Sequence, residues 1–173
     1  MAAGIHVHDV SRLMSYIPHS GEFVWCNYPY DTNMGGIRPG PKARPCLVLE
    51  TSEKMGSIYV TVAYGTSKSR SGKYILTLDP SQKEAFHASG LFMPTKFDLL
   101  HKAKLPWSED FFPSVPAMYG RPSRENCYLG VMHPRVQSSI KEIFNNMRID
   151  PDARRIMMSE NHEQPRRTNI PRN

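Results

Sequence analysis

From Ser57 to Gly65 the chain alternates. Ile58, Val60 and Val62 fall on one side of an extended backbone, and Tyr59, Thr61 and Ala63 fall on the other. That period of two predicts a strand over 57–65. Three more segments read as strands. GEFVWCNYPY (21–30) is rich in aromatic and β-branched residues and closes on Pro29. CLVLE (46–50) is a short apolar run between turn signals, the pattern of a buried strand, and KYILTL (73–78) is reached through the polar turn TSKSRSG. The pattern changes at HPRVQSSIKEIFNNM, where Val136, Ile140, Ile143, Phe144 and Met147 share one helical face and Pro134 stands near its start. Short strands divided by Gly, Pro and Ser turns, followed by one amphipathic helix, predict a mainly β (α+β) fold: a small antiparallel sheet or barrel with a C-terminal helix packed on it.

The flanks carry less pattern. Residues 1–20 have no firm period and read as an N-terminal extension. Beyond Asp150 the chain is polar and holds Arg154, Arg155, Arg166 and Arg167 with few core-forming residues, so 151–173 is expected to be a disordered basic tail. One domain over 21–150 remains.

Charge adds a partner class. The 173 residues carry a net charge of +6, with a pI near 9.3 and a mean hydropathy of −0.50, which favours a polyanionic partner such as a nucleic acid or an anionic surface. Cys26, Cys46 and Cys127 form no CxxC pair, and their odd number argues against a closed disulfide framework. No metal-binding, P-loop or dinucleotide motif occurs. With no signal-peptide pattern and no apolar stretch near eighteen residues, the expected location is the cytoplasm, away from membranes.

Candidate chemistry sits at three places. In RPGPKARPCLVLE (38–50), prolines stiffen a loop that presents Arg38, Lys42 and Arg44 immediately before a strand. In VAYGTSKS, Thr66 and Ser67 follow a strong strand, with Lys68 and Arg70 behind them; hydroxyls at such a rim can donate to a phosphate, although Thr and Ser are also common turn residues. In TKFDLLHKAK, Lys96 and Asp98 are two apart and share a side if the segment is extended, with Lys102 and Lys104 adding charge. Such a pair is either a surface ion pair or an acid–base unit. His87, His101 and His133 are general-base candidates by residue type and show no mutual spacing.

The order of these elements resembles the MazF/PemK family of toxin endoribonucleases. GEFVWCNYP is similar to the family's opening strand, ARPCLVL to its RP-plus-strand signature, VAYGTS to the strand ending in Thr-Ser, and TKFDLL to the later segment with a basic residue and an acid. The resemblance spans residues 21 to about 105. It implies an SH3-like barrel, commonly a homodimer, that cuts single-stranded RNA with no cofactor or metal and is neutralised by an antitoxin. On that resemblance Arg44 holds the scissile phosphate, Thr66 (with Ser67) donates to a phosphate oxygen, and Asp98 acts as base toward the RNA 2′-hydroxyl. Lys96 stands where some members use arginine, and the loop before RP offers Arg38 where some members have a histidine. Arg38, Lys42, Ser67, Lys68, Arg70 and Lys102 are then the expected RNA-binding residues. The alternative is a non-catalytic barrel of the same type that binds nucleic acid or a protein partner, for example an inhibitor encoded by a mobile element.

Overall fold

The computed structural model describes residues 16–29, 37–68 and 72–162. Its six strands are β1 (Glu22–Cys26), β2 (Arg44–Lys54), β3 (Ser57–Thr66), β4 (Ile75–Leu78), β5 (Thr95–Pro106) and β6 (Tyr128–Val131). They form one sheet in the order β4-β5-β3-β2-β1-β6, antiparallel at every junction. The four strands expected from the hydrophobic pattern are present; β1 and β4 are shorter than the pattern suggests, and β2 and β3 are longer. β5 and β6 are additional. β5 was hidden because its lysines interrupt the alternation, and β6 because it has only four residues.

The sheet is rolled. β5 and β1 are separated by β3 and β2, which in a flat sheet is about 14 Å. The rings of Phe23 on β1 and Phe97 on β5 nevertheless meet at 5.3 Å between centroids. Bulges in the β1–β6, β2–β3 and β3–β5 pairings supply the bending. Phe23, Leu47, Leu99 and Leu105 are fully buried around this turn of the sheet. β4 and β6 remain as edges. The short helix α1 (Lys83–Ser89) follows β4 and is set against β6, so a helix bridges the gap that strand pairing leaves open. Gly90 ends α1 at φ +67°, and a Cβ there would lie 1.8 Å from the Leu129 carbonyl oxygen, so this junction needs glycine. The mainly β antiparallel architecture with a C-terminal helix is therefore as the sequence indicates.

α2 (Pro134–Ile149) also follows its sequence pattern. Pro134 occupies the first turn, the His133 side chain accepts a hydrogen bond from the Arg135 N–H, and Val136, Ile140 and Met147 are buried. The expectation of a disordered tail from residue 151 is corrected for the first part of that segment. α3 (Pro151–His162) is a helix, with Ala153 buried and Met157 packed against the core. So narrow an apolar contact leaves little hydrophobic pattern to read. What starts the helix is Asp150, whose Oδ1 accepts from the N–H groups of Asp152 (2.9 Å) and Ala153 (3.4 Å). Residues 163–173, including Arg166 and Arg167, lie outside the described residues, as do residues 1–15 of the N-terminal extension.

All three cysteines are free thiols in the interior. Burial pushes Cys26 well above the ordinary thiol range and Cys127 up to about 12.

Asp150 also ties the helical end to the sheet. Its Oδ2 accepts from Lys73 Nζ at 2.7 Å and from the Tyr74 hydroxyl, at the entry to β4. The Lys73 ammonium, followed by the Tyr74 hydroxyl and the helix N–H groups, holds this carboxyl far below the usual carboxylate range. A group depressed in the folded state stabilises fully above its unfolded pKa and loses that contribution as pH falls through the folded one. Asp150→Ala is therefore expected to lower the melting temperature at pH 7. The gap from wild type should narrow as pH drops below about 4, measured by thermal scans across a pH series.

Candidate active site

Register brings the three sequence-separated elements together. Residues directly opposite in an antiparallel ladder share a face. Arg44 lies opposite Cys26, Thr66 opposite Lys96, and Lys96 opposite Thr77. The β2–β3 pairing Leu47↔Ala63 and Cys46↔Tyr64, continued in step, sets Arg44 across from Thr66. Arg44, Thr66, Lys96 and Thr77 thus form one row across β2, β3, β5 and β4. Gly65 makes this possible. A Cβ at that position would lie 2.4 Å from the Pro45 carbonyl oxygen and 2.8 Å from Phe97 Cε1, so only glycine lets β3 run this close to β2 beside Arg44 and Thr66.

The row combines fixed and reachable groups. Arg44 and Lys96 are half-buried, and the Arg44 guanidinium carbon lies 5.9 Å from the centroid of the Tyr64 ring, which itself meets Tyr28 at 5.2 Å. A guanidinium beside an aromatic ring has fewer orientations available than one in open solvent. Thr66 is buried, and its Oγ1 accepts from the Lys68 N–H at 3.2 Å. That bond uses a lone pair of the hydroxyl and leaves its hydrogen to donate. At the β4 end, Thr77 lines an open cleft of about 620 Å³ that also holds Gln82, Glu84, His133 and Arg135. Arg135 and Glu84 pair across it at 3.2 Å.

Lys96 and Asp98 do share a side, and Asp98 lies opposite Ile75 on β4. Its surroundings differ from those of a solvent-facing base. Asp98 is only 7% exposed. Its Oδ1 accepts from the N–H groups of Leu100 (3.1 Å) and His101 (3.3 Å), and its Oδ2 is 3.0 Å from His101 Nδ1. The carboxylate is turned into the protein, and the group it presents to solvent is His101, whose side chain is 53% exposed. His101 is a base candidate by residue type, and its bond to Asp98 has no counterpart in the sequence pattern. The only signal was the spacing of three residues, which places two side chains together only if the strand bulges between them.

The remaining candidates divide. Lys42, Ser67 and Lys68 are exposed on the loops flanking Arg44 and Thr66, and Arg38 is exposed in the proline-rich loop. That loop is tied to the end of β1 by the Gly40 N–H donating to the Asn27 carbonyl at 2.9 Å. Lys102 does not join the row. It pairs with Ala63, which lies on the opposite face of β3 from Thr66 because side chains alternate. Arg70 lies outside the described residues.

No family model matches the chain, and no curated protein matches it. Among solved structures 15 chains match. One is described as an endoribonuclease in complex with its cognate antitoxin from Mycobacterial species; it is 15% identical, the match covers 75% of this chain and 93% of that one, and the TM-score is 0.43. That is the kind of protein the motif order resembles.

If Gly65 is what brings Arg44 to Thr66, a single methyl should push them apart. Gly65→Ala is expected to cost roughly 2–3 kcal/mol of stability, read from urea unfolding midpoints against wild type.

Proposed function

We propose that the chain is a metal-independent endoribonuclease of toxin type that cleaves single-stranded RNA. The observation that carries this reading is the row Arg44–Thr66–Lys96, two cations and a hydroxyl on adjacent strands, with an acid–base pair two residues along β5 from Lys96. Phosphodiester cleavage by the RNA's own 2′-hydroxyl asks a protein for such groups: positive charge for the phosphorane-like transition state, a hydrogen-bond donor to a non-bridging oxygen, and proton transfer. The nucleophile belongs to the substrate, so orientation does much of the rest.

In this reading Arg44 holds the scissile phosphate in a two-pronged grip, Thr66 donates to one of its oxygens, and Lys96 balances the charge that builds on the other. Lys42, Lys68 and Ser67, with Arg38 further out, guide the strand on either side. The substrate is unpaired RNA, since a strand that must reach half-buried groups and be splayed over a curved sheet cannot be held in a duplex. A second copy of the chain and an antitoxin are the partners that the motif resemblance brings with it.

The test uses long single-stranded RNA in EDTA with wild type and Arg44→Ala purified identically. Wild type is expected to give discrete fragments with 5′-hydroxyl ends. Arg44→Ala should cleave roughly 100-fold more slowly or worse, and its RNA affinity should depend less steeply on salt, by about one unit of slope. Equal cleavage by both preparations points to a contaminant. RNA bound by wild type and left intact would make the chain a binding module.

A further inference from the structure

We infer that His101 is the group that takes the proton from the attacking 2′-hydroxyl, and that Asp98 is a positioning residue that keeps His101 in the form able to do so. The inference rests on the ribonuclease reading above and replaces a direct role for Asp98 as base.

The geometry decides between the two residues. A general base must offer a lone pair to solvent-borne substrate. The Asp98 carboxylate faces inward and already accepts two backbone N–H bonds and a third contact from His101 Nδ1. His101 has the opposite disposition. Its side chain is 53% exposed while that of Asp98 is 9% exposed. A carboxylate is an acceptor, so the His101 nitrogen facing it carries the hydrogen, and the neutral ring then has its lone pair on Nε2, away from Asp98. The buried negative charge also stabilises the imidazolium once the proton has arrived.

The site is anchored by the backbone as well as by side chains. Asp98 and Lys96 are alternate residues of one strand on one side, about 7 Å apart along it. The bulge that returns His101 to Asp98 is held by the Leu99 N–H donating to the Tyr74 carbonyl at 3.1 Å. The ring is therefore fixed near the cationic row by four hydrogen bonds.

The step balances without a co-reactant. The 2′-oxygen forms its bond to phosphorus as its proton passes to His101 Nε2. The bond from phosphorus to the 5′-oxygen breaks, and that oxygen takes a proton from solvent. His101 then returns its proton to solvent, leaving a 2′,3′-cyclic phosphate and a 5′-hydroxyl.

The full-length chain is assayed on single-stranded RNA in EDTA as wild type, His101→Ala and Asp98→Asn, with melting and RNA-binding measurements on each. His101→Ala is expected to fold and bind RNA like wild type, to cleave at least 100-fold more slowly, and to regain rate in added imidazole. Asp98→Asn is the sharper test. Its carbonyl oxygen can still accept the two backbone N–H bonds, but its amide hydrogens face His101 Nδ1 and move the ring hydrogen to Nε2. The expected result is a large loss of rate with little change in melting, and nitrogen NMR of the ring showing the tautomer switched. Cleavage by His101→Ala at the wild-type rate, while Arg44→Ala remains slow, overturns the inference and leaves the ribonuclease reading standing. Loss of rate in Asp98→Asn with an unchanged tautomer overturns the positioning role. Absence of cleavage by wild type removes both readings together.

Discussion

A buried carboxylate at the bend of β5 holds the site in shape. β5 takes five residue steps between its pairings with Gly65 and Ala63, where β3 takes two, and the surplus from Asp98 to His101 must leave the ladder. Backbone N–H groups released inside a core need partners. Asp98 supplies them for Leu100 and His101, and the Tyr74 carbonyl supplies one for Leu99. Because the surplus is accommodated, the first part of β5 can pair with both β3 and β4 while the second part continues along β3. The same bend rolls the sheet far enough for Phe97 to meet Phe23. One buried side chain thus links ladder register, core packing and the arrangement of polar groups on the surface.

The row depends on a second constraint of close approach. Arg44 and Thr66 are 22 positions apart in sequence, and they become neighbours because β2 and β3 form a hairpin whose register is set by the apolar pairs Leu47–Ala63 and Val48–Val62. Core residues thereby choose which polar residues stand opposite each other further along the same strands. The long-range order that the site needs is inherited from packing, and the polar groups contribute little to establishing it.

What could be read from the chain follows from this division. Segments whose burial is strongly periodic, such as 57–65 and the face Val136–Met147, announce themselves, and the resemblance to a family rests on those same segments and on the residues at their ends. The sharing of a side by Lys96 and Asp98 was also legible, because it requires only an extended backbone. The inward turn of Asp98 and its bond to His101 were not, since no local pattern marks a bulge whose cause is the pairing of β5 with two different neighbours. α1 was missed because it is a seven-residue helix with little room for a repeating face. α3 was missed because a single buried alanine and a packed methionine are enough to seat it, and the residue that starts it lies just outside it.

The buried thiols have a practical meaning. Each of the three strand-and-loop cysteines is buried, and burial also raises the Cys26 and Cys127 thiols, so none offers alkylating reagents an accessible thiolate. Toward such reagents the folded chain behaves as though it had no cysteine at all. Labelling can begin only when the rolled sheet opens, and its pace therefore reports the opening of the barrel itself. The molecule carries an internal clock for its own unfolding.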